Sequence, residues 1–356
     1  MRPHFELLNV RDGVRRGRFH TLHGTFETPC FAPVGTYASV KGLTPDQVRG
    51  TGSEMILANS YHLFVRPTVD VISKQGGLHE FMGWSGPILT DSGGYQVFSL
   101  DARCRVNDHG VTFRSVIDGS PHELTPELAL EIQRDLAPDI AMVLDHCPPG
   151  DASAELHREA HERTLQWARR SRDLHETWGG ADRGQAVFAI VQGGTDPELR
   201  AASAHDLVAM EFDGYAIGGL SVGETKERMV NALNTAAPLL PTDKIRYLMG
   251  VGTPEDFAAA TRAGVDLFDC VIPTRHGRNH QAFTRDGLLR LRNSQYAEES
   301  EPLDETCTCY TCRNFSRSYL RHLAVAKEML AGILLSIHNL TYFQDLLREI
   351  RTRAEA

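Results

Sequence analysis

The sequence predicts an α/β protein whose main part is a (β/α)8 barrel (a TIM barrel) with parallel strands. Short apolar segments recur along the chain, and nearly every one ends in a polar residue or a glycine before a helical pattern begins. Continuous apolar strands that alternate with helices are typical of a parallel sheet covered on both faces. Eight such units favour a closed barrel, and no G-x-G-x-x-G pattern follows the first strand, which disfavours an open doubly wound sheet. The predicted strands are residues 30–34, 55–58, 88–89, 140–144, 187–191, 215–217, 245–249 and 265–268.

Smaller elements surround these eight units. Residues 5–26 alternate short apolar pieces with glycines, which indicates an N-terminal antiparallel sheet ahead of the barrel. Thr-Pro pairs predict helix starts at Thr44, Thr125 and Thr253, and Gln47 completes a capping box with Thr44. A hairpin and a charged outer helix are predicted for residues 104–117 and 155–178. We expect the chain to divide into residues 1–28, 29–274 and 275–356.

Composition and charge place the protein in a broad class. Of its 356 residues, 41% are hydrophobic and 23% are charged, which is typical of a globular protein with a sizeable core. No apolar run approaches the ~18 residues that a membrane span needs, and the N-terminus lacks the apolar core of a signal peptide. We therefore expect a cytoplasmic protein. The net charge of −9 gives no global support for nucleic-acid binding, so any RNA contact must come from a local basic face.

Three aspartates, Asp91, Asp145 and Asp269, follow predicted strands. Because barrel strands end at one mouth, their carboxylates should converge there. Neighbouring carboxylates push their pKa values apart, so one can act as an acid while another stays ionised. This suits glycosyl transfer, in which one carboxylate attacks the anomeric carbon and another handles the proton. The three side chains would equally suit a divalent metal, and Asp269 alone would also suit a turn cap.

Several loops at the same mouth carry groups suited to a planar base. Tyr95, in the segment DSGGYQ, offers an aromatic face for stacking. Gln192 and the backbone of Gly219 and Leu220 offer paired donors and acceptors to the edge of a purine-like ring. Cys147 stands two positions after one of the aspartates and is expected to line the pocket. Each single loop is also compatible with a glycine-rich barrel loop that binds nothing.

A cysteine cluster predicts a metal site. Cys307, Cys309 and Cys312 form the pattern C-x-C-x-x-C, and His338 follows after a helix-like segment. Three thiolates and one imidazole complete a tetrahedral zinc shell with no open position, so the predicted site is structural. A C-x-C pair hardly allows a strain-free disulfide, and the expected compartment disfavours one. The alternative is a reduced cysteine cluster without a metal.

A basic stretch lies between Asp269 and the cysteine cluster. It runs over residues 275–292 and contains a single acid, Asp286. Arginine clusters bind the phosphates of nucleic acids, although many charge runs only face solvent. The position of this stretch beside the candidate nucleophile favours contact with an RNA backbone. The arginines concerned are Arg275, Arg278, Arg285, Arg290 and Arg292.

Segments in order along nearly the whole chain match a known family. They are PVGTYASVKGLTP, ILANSYHL, GGLHEFMGW, ILTDSGGYQVFSL, FAIVQGG, YAIGGLSVGE, RYLMGVGTPED, FDCVIPTR, and CTCYTCRN with its later HN. The chain resembles the queuine/preQ1 tRNA-guanine transglycosylases in their bacterial form. The resemblance implies a barrel with a C-terminal zinc-binding subdomain, one structural Zn2+ per chain and a homodimer. It also implies exchange of the wobble guanine of tRNAs with GUN anticodons for a 7-deazaguanine base, with preQ1 expected, in queuosine biosynthesis.

The same resemblance implies roles for individual residues. Asp269 is the nucleophile that attacks ribose C1′ and forms a covalent tRNA intermediate, and Asp91 is the general acid/base. The family usually has Asp-Glu-Cys where this chain has Asp145-His146-Cys147. A side chain able to carry positive charge therefore follows Asp145, to which the resemblance assigns recognition of the base edge. By the same resemblance, the edge of the base is bound by Asp145, Gln192, Gly219 and Leu220, and its two faces are covered by Tyr95 and Met249. Glu224 supports residues 219–221. The implied zinc ligands are Cys307, Cys309, Cys312 and His338.

Four other functions compete with this reading. A transglycosylase that incorporates queuine directly differs only in its base, and the sequence leaves that choice open. A non-catalytic RNA-binding subunit would not need both Asp91 and Asp269. An archaeosine-type enzyme would carry RNA-binding domains after the cysteine cluster. A carbohydrate-directed glycosidase would leave the cysteine cluster and the arginines unexplained.

Overall fold

The structure, a computed structural model, describes residues 1–100 and 104–355 and confirms the predicted α/β fold. Its described strands form four sheets: an antiparallel N-terminal sheet, a parallel eight-stranded sheet, an inserted three-stranded sheet and a two-stranded sheet near the C-terminus. The strands are β1 His4–Arg11, β2 Val14–Thr21, β3 Gly24–Thr28, β4 Cys30–Pro33, β5 Ile56–Ala58, β6 Ile88–Thr90, β7 Arg105–Val106, β8 Val111–Arg114, β9 Pro121–Leu124, β10 Ile140–Met142, β11 Ala186–Val191, β12 Gly214–Ile217, β13 Ile245–Leu248, β14 Leu267–Cys270, β15 Gln281–Thr284 and β16 Gly287–Arg290.

The parallel sheet forms the predicted barrel. Its strand order is β4-β14-β13-β12-β11-β10-β6-β5, and a parallel bridge between Val34 and Leu57 joins the two ends. Every residue of these strands is buried, as expected for strands covered outside by helices. All eight predicted strands are confirmed, but the last one ends later than predicted. Asp269 and Cys270 still pair with β4, so the candidate nucleophile belongs to the strand.

The helices lie between the strands and after them. The predicted starts at Thr44, Thr125 and Thr253 are confirmed, each followed by Pro in the first turn. The helices are α1 Pro45–Gly50, α2 Ser60–Val65, α3 Val69–Lys74, α4 Leu78–Met82, α5 Gly94–Leu100, α6 Pro126–Leu136, α7 Ala154–Thr177, α8 Pro197–Val208, α9 Lys226–Ala236, α10 Pro254–Arg262, α11 Ile272–Arg278, α12 Tyr310–Asn314, α13 Arg317–Ala326 and α14 Met329–Glu355, with short 3-10 helices at Ala237–Leu239 and Ser294–Ala297. None of the helices in the described ranges is long and apolar enough to cross a membrane.

One local prediction needs correction, and one helix was not predicted. Helix α11 follows Asp269 closely and has Pro273 in its first turn. Proline fits the first turn of a helix, where its missing N–H has no helical partner in any case. The predicted hairpin over residues 104–117 is incomplete, because β9 adds a third strand through backbone pairing with β8.

The N-terminal sheet covers one end of the barrel. Phe19 and Phe26 are fully buried, and the Phe19 ring meets the Phe188 ring of β11 edge-on with centroids 5.7 Å apart. Arg15 on β2 forms a buried ion pair with Asp266 at the start of β14, with an N–O distance of 3.1 Å. Apolar burial and this ion pair therefore fasten the sheet to the ends of the strands that lie opposite the candidate site.

Residues 281–326, called the C-terminal lobe below, have a small apolar core of their own that includes Leu291 and Leu320. Helix α14 connects this lobe to the barrel. Its Asn339 donates to the carbonyls of Pro273 and Gln281, both at 3.0 Å, and its Gln344 contacts the barrel strand β4. The divisions of the chain at residues 28 and 274 stay predictions.

Candidate active site

A cavity of about 530 Å3 opens at the C-terminal ends of the barrel strands. The structure brings the three predicted aspartates together in its wall. Other predicted residues that line it are Tyr95, Cys147, Gly219, Leu220, Met249 and Arg275. The residues that the sequence placed at the barrel mouth therefore line one cavity there.

Asp91 lies buried just after β6 and is held by the neighbouring loop. Its Oδ2 accepts a hydrogen bond from the Asn59 side chain, and its Oδ1 accepts from the Ser60 backbone N–H at 2.8 Å. Burial raises the pKa of Asp91 to about 6, although these donors oppose the rise, and the charge of Asp269 raises it further. A carboxyl with this pKa can both give and take a proton near neutral pH.

Asp269 has a different set of partners. Its Oδ1 accepts from the hydroxyl of Tyr247 at 2.6 Å and from the backbone N–H of Gly250 at 2.7 Å. Burial raises the pKa of Asp269, while these two donors favour its ionised form. Both donors bind the same oxygen, so they orient the carboxylate as well as stabilise it.

The three aspartates do not form a metal site. Among the described residues, groups of three or more potential metal ligands within 4.8 Å of one another occur in two places, and neither contains Asp91, Asp145 or Asp269. The geometry therefore favours the acid–base interpretation of these carboxylates over the alternative of a shared divalent ion.

Asp145 lies beside Gln192, whose side-chain amide donates to its Oδ2 at 2.6 Å. Burial raises the pKa of Asp145 to about 6 against the effect of this donor. Cys147 lines the same cavity, and burial, with the nearby Asp145, raises the pKa of its thiol to about 12, so it is uncharged at neutral pH. Gln192 lies behind the cavity wall, where a Cβ at Gly219 would come within 2.3 Å of its Oε1.

The loop after β12 is held from two sides. Glu224 accepts hydrogen bonds from the backbone N–H groups of Ser221 and Val222, the latter at 3.0 Å, so the predicted support of this loop has a structural counterpart. On the other side, the fully buried Arg200 donates to the Gly219 carbonyl at 3.4 Å. Its guanidinium also donates to the Gly194 carbonyl at 2.7 Å and the Val191 carbonyl at 2.9 Å.

His146 does not supply the cation that its chemistry suggested. Burial, with the adjacent Arg163, lowers the pKa of His146 to about 4, so the imidazole is neutral at physiological pH. The Arg163 guanidinium donates to His146 Nδ1 at 3.0 Å, which also disfavours a second proton on the ring. The positive charge behind the cavity therefore belongs to the arginine.

The predicted RNA-facing arginines are exposed, but they differ in their surroundings. Arg275 on α11 lines the cavity, and Arg278 stands one turn later. Arg285 forms an ion pair with Glu349 of α14 and donates to the Thr306 hydroxyl at 3.1 Å. Arg290 and Arg292 lie at the end of β16 and just beyond it, on the surface.

The cysteine cluster and His338 come together where α14 crosses the C-terminal lobe. The Sγ atoms of Cys307, Cys309 and Cys312 lie 3.6, 3.6 and 3.3 Å from His338 Nδ1. Ligands of a tetrahedral zinc ion are about 3.6 Å apart for one sulfur and one nitrogen. The other ring nitrogen, Nε2, lies 2.7 Å from the Phe283 carbonyl, which can only accept and so leaves the Nδ1 lone pair for a metal. These four residues could hold a metal ion.

Sequence reasoning missed several residues that shape the cavity. Asn59 ends an apolar strand as the aspartates do, and this signal could have identified it. Tyr247 and Arg200 carried no such signal, because one lies inside a strand and the other inside a helix. Their roles arise from contacts with residues that are far away in the chain or on other elements.

Comparison with known proteins shows the family to which the chain is similar. A sequence model of the family described as queuine tRNA-ribosyltransferase matches residues 11–356. A queuine tRNA-ribosyltransferase of Thioalkalivibrio sulfidiphilus is 51% identical over 347 residues, which cover 98% of this chain and 92% of that protein. Proteins of the same name from Pelotomaculum thermopropionicum and Mannheimia succiniciproducens are 52% and 48% identical, over 95% and 99% of this chain and 90% and 93% of their own lengths.

Proposed function

Because the chain belongs to the queuine tRNA-ribosyltransferase family, we propose that it exchanges the wobble guanine of tRNAs with GUN anticodons for a 7-deazaguanine base, preferably preQ1. The exchange takes place at ribose C1′ by two displacements and serves queuosine biosynthesis. One observation carries this proposal: Asp91 and Asp269 line one cavity, each buried and each with its own set of hydrogen-bond donors.

The chemistry needs one nucleophile and one proton carrier. In the first step a carboxylate oxygen of Asp269 bonds to C1′ while the C1′–N9 bond to guanine breaks, and Asp91 gives the leaving base a proton. In the second step Asp91 takes the N9 proton of the incoming base, N9 attacks C1′, and the bond to Asp269 breaks. Two inversions give overall retention, as in retaining glycosidases.

The surroundings of the two carboxyls support this assignment. The donors on Asp269 bind Oδ1, so Oδ2 is the oxygen to which we assign the attack. Asp91 has a pKa of about 6, raised by burial and by the charge of Asp269, which suits a group that must alternate between acid and base. The two environments thus match the two roles.

We assign recognition of the base to the opposite wall. Asp145, oriented by Gln192, accepts hydrogen bonds from the amino and imino groups of a guanine-like edge. The backbone around Gly219 and Leu220 reads the remaining edge, and Tyr95 and Met249 cover the two faces of the ring. Tyr95 is 55% exposed, so its ring is accessible for stacking on a base.

Contact with the tRNA backbone is assigned to the exposed arginines. Arg275 and Arg278 extend from α11 directly beyond the nucleophile strand, where the ribose of the bound nucleotide must lie. Arg290 and Arg292 extend the positive surface across the C-terminal lobe. Arg285 contributes less, because Glu349 already neutralises it. The arrangement compensates locally for the net charge of −9.

The metal at Cys307, Cys309, Cys312 and His338 is proposed to be zinc. Three thiolates and one imidazole with no open position suit a structural Zn2+. The ion would fasten the C-terminal lobe to α14, which in turn contacts α11 through Asn339.

The homodimer and the cytoplasmic location are proposals as well. Apolar side chains at the end of the C-terminal lobe and the start of α14 are exposed, and a second copy of the chain would cover them. They are Tyr310, Tyr319, Val325, Met329 and Leu330. Light scattering should therefore give twice the chain mass.

The decisive test of the reaction is Asp269→Asn. The variant should lose exchange of labelled guanine into tRNA and should form no covalent protein–tRNA adduct on a denaturing gel, while its tRNA affinity remains measurable. Asp213→Asn is the matched control, because Asp213 accepts a backbone hydrogen bond from Val187 at the other end of the barrel. Normal exchange by Asp269→Asn would refute the assignment of the nucleophile.

The choice of base needs a separate experiment. The relatives are named for queuine, whereas we propose preQ1, so the two bases should be offered in competition to the enzyme and tRNA. Preferential incorporation of preQ1 is expected. Preferential incorporation of queuine would establish the alternative, a directly queuine-incorporating enzyme, and would leave the reaction mechanism untouched.

A further inference from the structure

A second cluster of metal-ligating side chains lies far from the catalytic cavity. His23 stands on the turn between β2 and β3, His79 lies on α4, and Asp139 directly precedes β10. One ligand atom of each lies within 4.8 Å of the others. The cluster is at the N-terminal ends of the barrel strands, where the Asp139 carboxylate also accepts a hydrogen bond from the first N–H of β6, that of Ile88, at 2.9 Å.

The two ring nitrogens of His79 have different surroundings. Nδ1 lies 3.0 Å from the Trp84 carbonyl, which can only accept, so Nδ1 bears a hydrogen. In the neutral ring Nε2 then has a lone pair, and this atom is buried without a hydrogen-bond partner among the described residues. It faces Oδ2 of Asp139 at 3.3 Å. A lone pair directed at a carboxylate is repulsive unless a cation lies between them.

The distance distinguishes between the possible cations. A charge-assisted N–H···O hydrogen bond is about 2.7–2.9 Å long, so 3.3 Å is long for a proton shared by His79 and Asp139. Two nitrogen or oxygen ligands of one tetrahedral zinc, each bound at about 2.1 Å, lie about 3.4 Å apart. The observed separation matches that of two ligands on one ion.

We propose that His79 Nε2, Asp139 Oδ2 and His23 form a second site for a divalent transition metal, Zn2+ in the first place. Two imidazoles and a carboxylate suit this class of ion. The Trp84 carbonyl and the Ile88 amide orient the ligands from behind, as the outer partners of metal ligands usually do. Three protein ligands leave the fourth position of the ion to a water molecule. Because the ligands come from the turn of the N-terminal sheet, from α4 and from the start of β10, the ion would fasten these elements together, and we assign it a structural role.

His23 completes the site after a change of ring orientation. Its ring now stacks on that of His79, with centroids 3.5 Å apart and planes at 19°, while its Nδ1 lies 2.8 Å from Asp139 Oδ1. A metal lies in the plane of each imidazole that binds it, so one ring must tilt. His23 is the ring that can do so, because its side chain is 38% exposed, whereas the hydrogen bond to Trp84 holds His79.

The test is a metal count on the full chain. After loading with Zn2+ and removal of free metal, the wild type should hold two zinc ions per chain and His79→Gln should hold one. His23→Gln changes a partly exposed position, so this variant should fold even if His79→Gln folds poorly. It should lower the affinity for the second zinc ion at least tenfold. Zn2+ should also raise the Tm of the wild type above that of both variants.

His20→Gln is the matched control. His20 lies on the same sheet, stacks on His4 with centroids 4.6 Å apart and approaches the Glu6 carboxylate at 3.3 Å. The pair is exposed, however, and among the described residues it belongs to no group of three potential ligands within 4.8 Å of one another. This variant should keep both zinc ions. Equal zinc in wild type, His79→Gln and His23→Gln would overturn the proposal, whereas loss of zinc in His338→Ala alone reports on the separate cysteine site.

Discussion

Replacing Tyr247 by Phe removes one of the two hydrogen bonds to the candidate nucleophile and little else. The Tyr247 hydroxyl donates to Asp269 Oδ1 at 2.6 Å, and the rest of the fully buried ring stays in place in the variant. A hydrogen bond to a charged group contributes about 1.5–3 kcal/mol, and 1.36 kcal/mol corresponds to one pH unit of pKa. The variant should therefore have an Asp269 pKa that is higher by about one to two.

The sign of the effect follows from the role of Asp269. Attack at C1′ requires the ionised carboxylate, so a higher pKa moves the acidic limb of the pH profile of kcat/KM to higher pH by the same amount. Relative to the wild type, exchange should fall about 10- to 100-fold on the acidic limb, and the deficit should shrink as the pH rises.

The measurement is labelled-guanine exchange into tRNA over about pH 5 to 9. Tyr215→Phe is the matched control: Tyr215 is a buried tyrosine on the next strand, β12, and its hydroxyl accepts a hydrogen bond from the Phe212 N–H rather than binding a carboxylate. An unshifted acidic limb in Tyr247→Phe, a deficit that is equal at every pH, or the same shift in Tyr215→Phe would refute the reasoning.

Three further predictions concern other parts of the structure. Burial raises the pKa of Asp145 to about 6, above the usual value of about 3.9, so the fold loses stability as the pH rises through this interval and the loss is complete above it. Asp145→Asn should therefore gain up to about 3 kcal/mol in urea unfolding at pH 7.5 and little near pH 4, and a pH-independent difference would contradict this. Arg200→Lys keeps the charge but loses the forked contacts to three carbonyls, so the KM for the incoming base should rise about tenfold with unchanged tRNA affinity. His338→Ala should lower the zinc content by one per chain and weaken tRNA binding, which metal analysis and a binding titration would check.

The sequence alone was sufficient for the barrel and for the residues that line the cavity at its mouth. Apolar runs predict the strands, and the polar residues at their ends predict which residues lie at the barrel mouth. Thr-Pro pairs predict helix starts. Each of these signals acts within a few residues of chain, so the sequence alone contains it. Asp91, Asp145 and Asp269 were found for the same reason, since each follows or ends an apolar run. The C-x-C-x-x-C spacing was equally local, and only His338 had to be joined to it across a helix-like segment.

The tertiary structure decided which groups act on these residues. Tyr247 reaches Asp269 from the neighbouring strand, Arg200 holds a loop after another strand, and His146 is neutral because Arg163 and burial act on it. Such contacts depend on how parallel strands and helices are set side by side, which local periodicity does not encode.

The sequence by itself thus determined the fold class, the position of the three aspartates at the barrel mouth, and the three cysteines and one histidine of a group that could hold a metal ion. Only the tertiary structure decided that Asp91 and Asp269 are held by different hydrogen-bond donors, and that His79 faces Asp139 at the far end of the barrel. The physical reason is that backbone propensity and patterning act over a few residues, whereas burial and electrostatic interaction depend on neighbours brought together from the whole chain.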